Sequence, residues 1–381
     1  MDRRSPRVGE VHSRLGLVFT LDYEIHGNGE GSPLELMVQP TARLLDQLDR
    51  FGAKLTIMAD TAEILKFREH RDATGSDDWA YGAIERQLVD AVARGHDVQL
   101  HLHPSYSRAR SVGGKWVLDY GDYDLARLGY ERISALVREG KEYLEGLLRP
   151  VRPGYRCHAF RAANWSMCPS FDTVRALREN GFRIDTSVFK YGFRDELVRF
   201  DYAGAESEAV PWPIDPSDVC RRDDRSDLFE FPIYCESRPI WAFLSVNRFY
   251  RVIQGRIHPL PDAPPAPGEG AAAAGGGGAA RALRRGVGLI SDLFQKHAWK
   301  LDFNQCSGGQ MISALERARV RYAGAAAEVP VVLIGHSKLF NRFNEGQLRP
   351  FLAHVAARPA DYGFGTFDGF DVERYRGRVT A

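Results

Sequence analysis

The sequence predicts an α/β fold in which short strands alternate with amphipathic helices around a parallel sheet or barrel. Apolar runs of strand length recur along the chain, and segments with helical spacing of apolar residues follow several of them. A glycine closes three of these helical segments, at Gly52, Gly95 and Gly181. Titratable residues come directly after the apolar runs, where a parallel barrel places its active site.

The individual elements follow from local patterns. Leu44, Leu45 and Leu48 lie on one face of a helix, and the run 331–335 is apolar throughout, as expected for a strand buried on both faces. The predicted elements are strands at 15–21, 54–59, 97–102, 159–161, 182–184 and 331–335, and helices at 40–51, 81–94, 130–148, 170–180 and 347–357.

The composition is that of a globular protein with no general affinity for polyanions. The 381 residues are 44% hydrophobic and 27% charged, and 51 basic against 50 acidic residues give a net charge of +1. This balance gives no overall attraction to nucleic acid or to an anionic membrane. We predict a polar tail at 1–14, a barrel at 15–345 with a flexible Gly/Ala/Pro-rich insertion at 259–280, and a C-terminal extension packed on the barrel at 346–381. The sequence does not indicate an oligomeric state.

The features that report on cellular compartment predict a cytoplasmic protein. Residues 1–16 are polar and Arg-rich and lack the apolar core of a signal peptide. No run reaches the roughly 18 apolar residues that a membrane span requires. The five cysteines are an odd number without a C-x-x-C pair, which favours free thiols in a reducing compartment over disulfides.

Paired polar residues after two of the strands predict a metal site. Strand side chains alternate between faces, so Asp22 and Glu24 are expected to point the same way where the first strand leaves the core. His101 and His103 have the same spacing after another strand. Two histidines and one carboxylate with open positions suit a single divalent metal that holds a water, and zinc is the expected ion. His96 is expected to be an exposed residue at the turn between helix and strand.

Three further strand ends carry polar residues. Arg161, Asp185 and His336 each come just after an apolar run, in the order of the chain. In a βα barrel the carboxyl ends of all strands lie at one face, so these side chains are expected to meet the paired residues of the earlier strands there. We therefore predict one active site at that face.

Five segments resemble, in order, the motifs of the polysaccharide deacetylase family, also called the NodB-homology group or carbohydrate esterase family 4. The segments are 20–24 (TLDYE), 95–104 (GHDVQLHLHP), 160–165 (FRAANW), 185–188 (DTSV) and 333–336 (LIGH). The resemblance extends over residues 15–345 apart from the insertion. It is closest to the branch associated with lipopolysaccharide and other surface-glycan biosynthesis. The resemblance implies a distorted (β/α)7 barrel and metal-assisted hydrolysis of an N-acetyl, or sometimes O-acetyl, group on a sugar.

The resemblance also implies roles for the residues of the first two motifs. Asp22 corresponds to the general base, and Glu24 and His101 correspond to metal ligands. Many family members carry the second metal histidine four residues after the first, where this chain has Ser105. We assign that ligand to His103 instead.

The later motifs supply the remaining catalytic groups. Arg161 corresponds to the residue that holds Asp22 ionised and oriented, and His336 to the general acid that protonates the leaving amine. Asp185 is expected to orient either His336 or Arg161. We expect Arg161 to lower the pKa of Asp22 and a partner carboxylate to keep His336 charged, because an acid and a base must hold different protonation states at one pH. A backbone N–H near Asn164 is implied to hold the oxyanion.

The predicted partner is an N-acetylated sugar of a glycan precursor, with Trp165 and Trp212 as aromatic residues of the sugar-facing wall. Two motifs depart from the family pattern. Tyr23 replaces a common Asp, and Ala163 and Asn164 replace a Pro and a Tyr. These departures and Ser105 leave two alternatives open: a metal-independent hydrolase of C–N bonds in a small amide or cyclic ureide, and a catalytically silent glycan-binding barrel.

Overall fold

A ten-stranded sheet forms the centre of the structure, a computed structural model that describes residues 14–25, 27–245, 248 and 296–377. The insertion at 259–280 and nearly all of the polar tail at 1–14 lie outside these residues. Within the described part, no helix is both long enough and apolar enough to cross a membrane.

The strands and helices of the described residues confirm an α/β protein. The strands are β1 (Leu15–Tyr23), β2 (Leu55–Asp60), β3 (Asp97–Leu102), β4 (Arg110–Val112), β5 (Lys115–Val117), β6 (Ala159–Ala162), β7 (Ile184–Asp185), β8 (Phe193–Asp195), β9 (Arg199–Asp201), β10 (Trp212–Asp215), β11 (Asp218–Arg222), β12 (Phe229–Glu230), β13 (Cys235–Pro239), β14 (Lys296–Lys300), β15 (Val329–His336) and β16 (Tyr362–Phe364). The helices are α1 (Gln39–Asp49), α2 (Thr61–Thr74), α3 (Tyr81–Ala93), α4 (Tyr130–Leu148), α5 (Phe171–Glu179), α6 (Gly308–Arg321) and α7 (Arg342–Ala356).

Parallel pairing dominates the sheet. The strand order is β11-β10-β12-β7-β6-β3-β2-β1-β15, with β16 beside the start of β1. All neighbours in this path are parallel except where β10 meets β11 and β12. Parallel strands are joined through crossover helices, and α1, α2 and α4 follow β1, β2 and β3 in this way. The carboxyl ends of these strands therefore lie at one edge of the sheet.

The sheet curls until its distant strands are joined. β12 and β15 lie six steps apart in the strand order, yet the segment just after β12 bonds directly to β15. The N–H of Tyr234 donates to the carbonyl of Val332 at 3.0 Å, and the N–H of Phe303 donates to that of Ile334 at 3.0 Å. This curl directs the side chains at the carboxyl ends of several strands into one interior.

Local patterns located most of the elements that carry the site. The predicted strand at 97–102 and helix at 130–148 have the bounds found in the structure. Gly52, Gly95 and Gly181 adopt positive φ values of 70°, 80° and 77°, which confirms them as helix ends. The helices α2 and α6 were not predicted.

One expectation about the fold is corrected. His96 is fully buried rather than exposed: its Nδ1 accepts a hydrogen bond from the N–H of Leu55 at 3.0 Å, and its Nε2 lies 3.2 Å from Asp49. In the segment predicted as a C-terminal extension, 346–381, β16 pairs with β1 in the sheet.

Candidate active site

Asp22 lies at the carboxyl end of β1 between a cation and an imidazole. Its Oδ1 accepts a hydrogen bond from Arg161 Nη1 at 2.7 Å, and its Oδ2 lies 3.5 Å from His336 Nε2. Asp22 and His336 are register partners on neighbouring strands, and Arg161 reaches them from β6. Arg161 is fully buried and also donates from Nε to the carbonyl of Thr186 at 3.0 Å. The guanidinium is therefore fixed from two sides and holds one carboxylate oxygen of Asp22.

The electrostatics of this cluster favour an ionised Asp22 and a neutral His336. Burial alone would raise the pKa of Asp22, but the charge of Arg161, aided by His101, lowers it below the usual value. Burial lowers the pKa of His336 despite the nearby Asp22 carboxylate. A carboxylate does lie beside His336, as expected, but burial outweighs its effect on the pKa of the ring. The His336 Nδ1 atom is buried without a hydrogen-bond partner.

Glu24, His101 and His103 bring three potential metal ligands together. One ligand atom from each residue lies within 4.8 Å of the others. Glu24 Oε2 is 3.4 Å from His101 Nε2 and 3.0 Å from His103 Nδ1. Burial would raise the pKa of Glu24, but Lys338 and His103 lower it well below the usual range. A buried, ionised carboxylate beside two imidazoles is a donor set typical of zinc and related divalent ions.

The surroundings of His101 fit a metal ligand. Its Nδ1 lies 2.9 Å from the carbonyl of Arg161, which only accepts hydrogen bonds, so Nδ1 carries a proton and Nε2 is the nitrogen that faces Glu24. Metal-binding histidines commonly hold an acceptor on the second ring nitrogen in this way, which fixes the ring. His103 differs, because its Nδ1 faces both Asp60 Oδ2 at 2.9 Å and Glu24 Oε2 at 3.0 Å.

Sequence reasoning missed two charged residues of this cluster. Lys338 Nζ lies 2.7 Å from Glu24 Oε1 and so leaves Oε2 to the histidines. Asp60 closes β2, and its Oδ1 also accepts a hydrogen bond from the N–H of His103 at 3.1 Å. The rule used for Asp22 would have found Asp60, because it comes directly after an apolar strand. Lys338 has no comparable signal beyond lying two residues after His336.

Asp185 orients neither His336 nor Arg161 by direct contact. Its Oδ1 accepts a hydrogen bond from Ser187 Oγ at 2.7 Å, and Glu230 is its register partner on β12. Both carboxyl groups are fully buried, and each has one oxygen without a partner. Burial raises the pKa of Asp185, and burial together with Asp185 raises the pKa of Glu230 well above its usual value. Burial therefore favours the neutral forms of these two acids, which lie on neighbouring strands.

The aromatic wall differs from the expected one. Trp165 is half-buried, and its ring centroid lies 6.0 Å from that of His336. Asn164 beside it adopts a left-handed φ of 54°, and its Oδ1 accepts a hydrogen bond from Tyr123 at 3.3 Å. Trp212 is 1% exposed, and its indole N–H donates to the carbonyl of Val219. Trp212 is a core residue and does not belong to the wall, because no sugar can reach a buried ring.

No protein-family model and no curated protein matches the chain. Among solved structures, it is similar to a provisionally described glycoside hydrolase/deacetylase of Parabacteroides distasonis, with 12% identity, a TM-score of 0.52, and coverage of 96% of this chain and 72% of that one. A provisionally described polysaccharide deacetylase of Mycobacterium smegmatis has 15% identity, a TM-score of 0.46, and coverage of 97% and 92%. One of Pseudomonas aeruginosa PAO1 has 14% identity, a TM-score of 0.45, and coverage of 96% and 90%. The first similarity shows a shared fold.

Proposed function

We propose that this chain is a metal-dependent hydrolase that removes an acetyl group from an N-acetylated sugar of a surface-polysaccharide or lipopolysaccharide precursor. One observation carries the proposal: Glu24, His101 and His103 converge beside the Asp22–Arg161 pair at one end of the curled sheet. The fold that we propose for it is the distorted (β/α)7 barrel of the NodB-homology type. The described cysteines are all free, which supports the cytoplasm as its compartment.

Glu24, His101 and His103 are the residues that would hold the metal, and zinc is the ion that we propose. When bound, such an ion polarises an acetyl carbonyl and lowers the pKa of a water towards 7. Lys338 holds one oxygen of Glu24, while the carbonyl of Arg161 fixes His101. This chain therefore orients its own ligands before any ion binds.

The catalytic proton transfers are assigned to Asp22 and His336. Asp22 is ionised and anchored by Arg161, so it can accept a proton from an attacking water. Burial favours the neutral form of the His336 ring, and its Nε2 lies 3.5 Å from the Asp22 carboxylate, so the ring can take up a proton and pass it to the leaving nitrogen. Without that proton the C–N bond breaks slowly, because an amine anion is a poor leaving group. Trp165 borders His336 and is assigned to the sugar-facing side, and a backbone N–H near Asn164 is assigned to the oxyanion.

The metal-independent amidase remains the second candidate because of Lys338. Its ammonium group lies 2.7 Å from Glu24 Oε1, so a side chain of the protein already places a positive charge beside the three potential metal ligands. Full activity after exhaustive chelation would favour this candidate over the metal-dependent one.

The first test measures bound metal by elemental analysis and acetate release from N-acetylglucosamine oligosaccharides. We expect about one equivalent of zinc in the parent and in a His158→Ala control, which alters a histidine at the opposite end of β6, and a loss of zinc in His103→Ala. Asp22→Asn should retain the metal and lose about 10²- to 10⁴-fold in acetate release. A metal-loaded parent that releases no acetate from any N-acetylated glycan contradicts the proposal, and sugar binding without turnover would indicate the silent barrel.

A further inference from the structure

Two cations lie on Trp165, the aromatic residue that borders His336. Lys300 ends β14, and its Nζ lies 3.3 Å from the Trp165 ring centroid and 4.3 Å from that of Phe189. The guanidinium carbon of Arg194, on β8, lies 5.7 Å from the same Trp165 centroid. The two cations come from separate antiparallel strand pairs, β13–β14 and β8–β9, and meet on one ring.

Within the described residues, neither cation has a carboxylate within ion-pair distance. The nearby acids are occupied elsewhere: Asp302 accepts hydrogen bonds from the N–H of Asn304 and from Gln305, and Asp22 is held by Arg161. Burial, with a further contribution from Arg194, lowers the pKa of Lys300 to about 8, although Asp302 counteracts the shift. Two like charges are therefore held together without a neutralising acid.

The ring under these cations is held in place. Trp165 has a left-handed φ of 58°, and its carbonyl accepts a hydrogen bond from the Tyr202 hydroxyl. Phe189 contacts its ring edge at a centroid distance of 5.7 Å. Trp165 therefore keeps one position between the cations and His336, whose ring lies 6.0 Å away.

We propose that Lys300 and Arg194 form an anion subsite beside His336, which selects N-acylated sugars that carry a carboxylate or phosphate group. The inference rests on the proposed function, since it defines the substrate class of the same site. Half-buried cations on an aromatic face gain a charge-assisted hydrogen bond when an anion enters, and the guanidinium fork matches both carboxylate and phosphate oxygens. A sugar whose acetamide faces Asp22 and His336 would place a neighbouring anionic group over Trp165.

The test compares three sugars by calorimetric binding to the metal-loaded Asp22→Asn protein: N-acetylglucosamine, its 6-phosphate, and the N-acetylated uronic acid. We expect at least one anionic sugar to bind about 10- to 100-fold more tightly than the neutral one. Tight binding of the phosphate sugar alone or of the uronic acid alone identifies the anion. Equal binding of all three overturns the subsite.

Variants separate recognition from folding. Lys300→Met and Arg194→Gln should remove the preference for the anionic sugar over the neutral one. Lys296→Met is the matched control, because Lys296 is exposed on the same strand as Lys300, and this variant should keep the preference for the anionic sugar. Lys300→Arg and Arg194→Lys retain the charge and should keep most of the preference even if the neutral variants fold poorly. A preference that survives removal of both charges overturns the proposal.

Failure of the subsite and failure of the proposed function give different results. Acetate release by the parent from neutral and anionic sugars at equal rates supports the deacetylase and overturns the subsite. Charge-dependent binding of the anionic sugar without acetate release supports the subsite and contradicts the deacetylase.

Discussion

At the scale of single residues, the groups that hydrogen-bond to Glu24, His101 and His103 define the candidate metal site as much as these three residues do. His103 Nδ1 faces Asp60 Oδ2 at 2.9 Å. Burial would lower the pKa of His103, but Glu24 and Asp60 raise it well above its usual value. A bound divalent ion would therefore displace a proton from this histidine, and the Asp60 carboxylate fixes the orientation of the ring and of its backbone N–H.

Asp60→Asn should weaken metal affinity by about 10- to 100-fold. The variant keeps an oxygen that can cap α2, where Asp60 Oδ1 accepts a hydrogen bond from the N–H of Glu63. It removes the negative charge that holds His103. Competition with a zinc chelator measures the affinity, and Asp97→Asn, a buried acid at the other end of β3, is the control. Unchanged affinity in Asp60→Asn would contradict a role for Asp60 in orienting His103.

At the scale of elements, strand and helix patterns were predictable where they repeat locally. α6 was also accessible from the sequence, because Ser307 and Gln310 have the spacing of a capping box and form one. α2 has a weaker pattern, and its cap, Asp60, is also the last residue of β2. The turn between α3 and β3 was located correctly, but the burial of His96 in it was not.

His96 makes the packing of this turn sensitive to acid. Burial lowers the pKa of His96 to about 4, with Asp49 acting in the opposite direction. The unfolded state then binds more protons than the folded state between about pH 6.5 and about pH 4, so stability falls as pH decreases through this range. A shift of this size corresponds to at most about 3 kcal/mol in the free energy of unfolding.

His96→Asn should lose less stability than the parent between pH 6.5 and pH 4, because it lacks the titrating ring. Urea unfolding at several pH values measures the difference, and His70→Asn, which changes a half-buried histidine on α2 that contacts Asp78, is the control. Parallel pH profiles for the parent and His96→Asn would show that His96 does not titrate in this way.

At the scale of the whole molecule, the site depends on closure of the sheet. Arg161 and Asp22 are 139 positions apart and lie on strands separated by two others, yet they form a buried contact of 2.7 Å. Burying both charges costs desolvation free energy. Removing one member of the pair therefore leaves the other charge buried without compensation.

Arg161→Met should reduce the free energy of unfolding by about 3–5 kcal/mol, because it leaves the Asp22 carboxylate buried without its cation. The double variant Asp22→Asn/Arg161→Met should recover part of that loss. Arg175→Met is the control, since its pair with Glu179 is exposed and worth less than about 1 kcal/mol. Urea denaturation measures all of these, and a loss in Arg161→Met as small as in the control would contradict the buried-pair interpretation.

The sequence by itself determined which polar residues lie at strand ends and which of them project from the same face of a strand. Alternation places Asp22 with Glu24 and His101 with His103, and the structure brings these pairs together. Only the tertiary structure decided their long-range partners, because periodicity reports the face of an element and not the element opposite it. Three findings could not be predicted from local patterns. Trp212 is in the core, Lys338 holds Glu24, and Lys300 and Arg194 share the ring of Trp165. Each depends on how the curled sheet brings distant segments together.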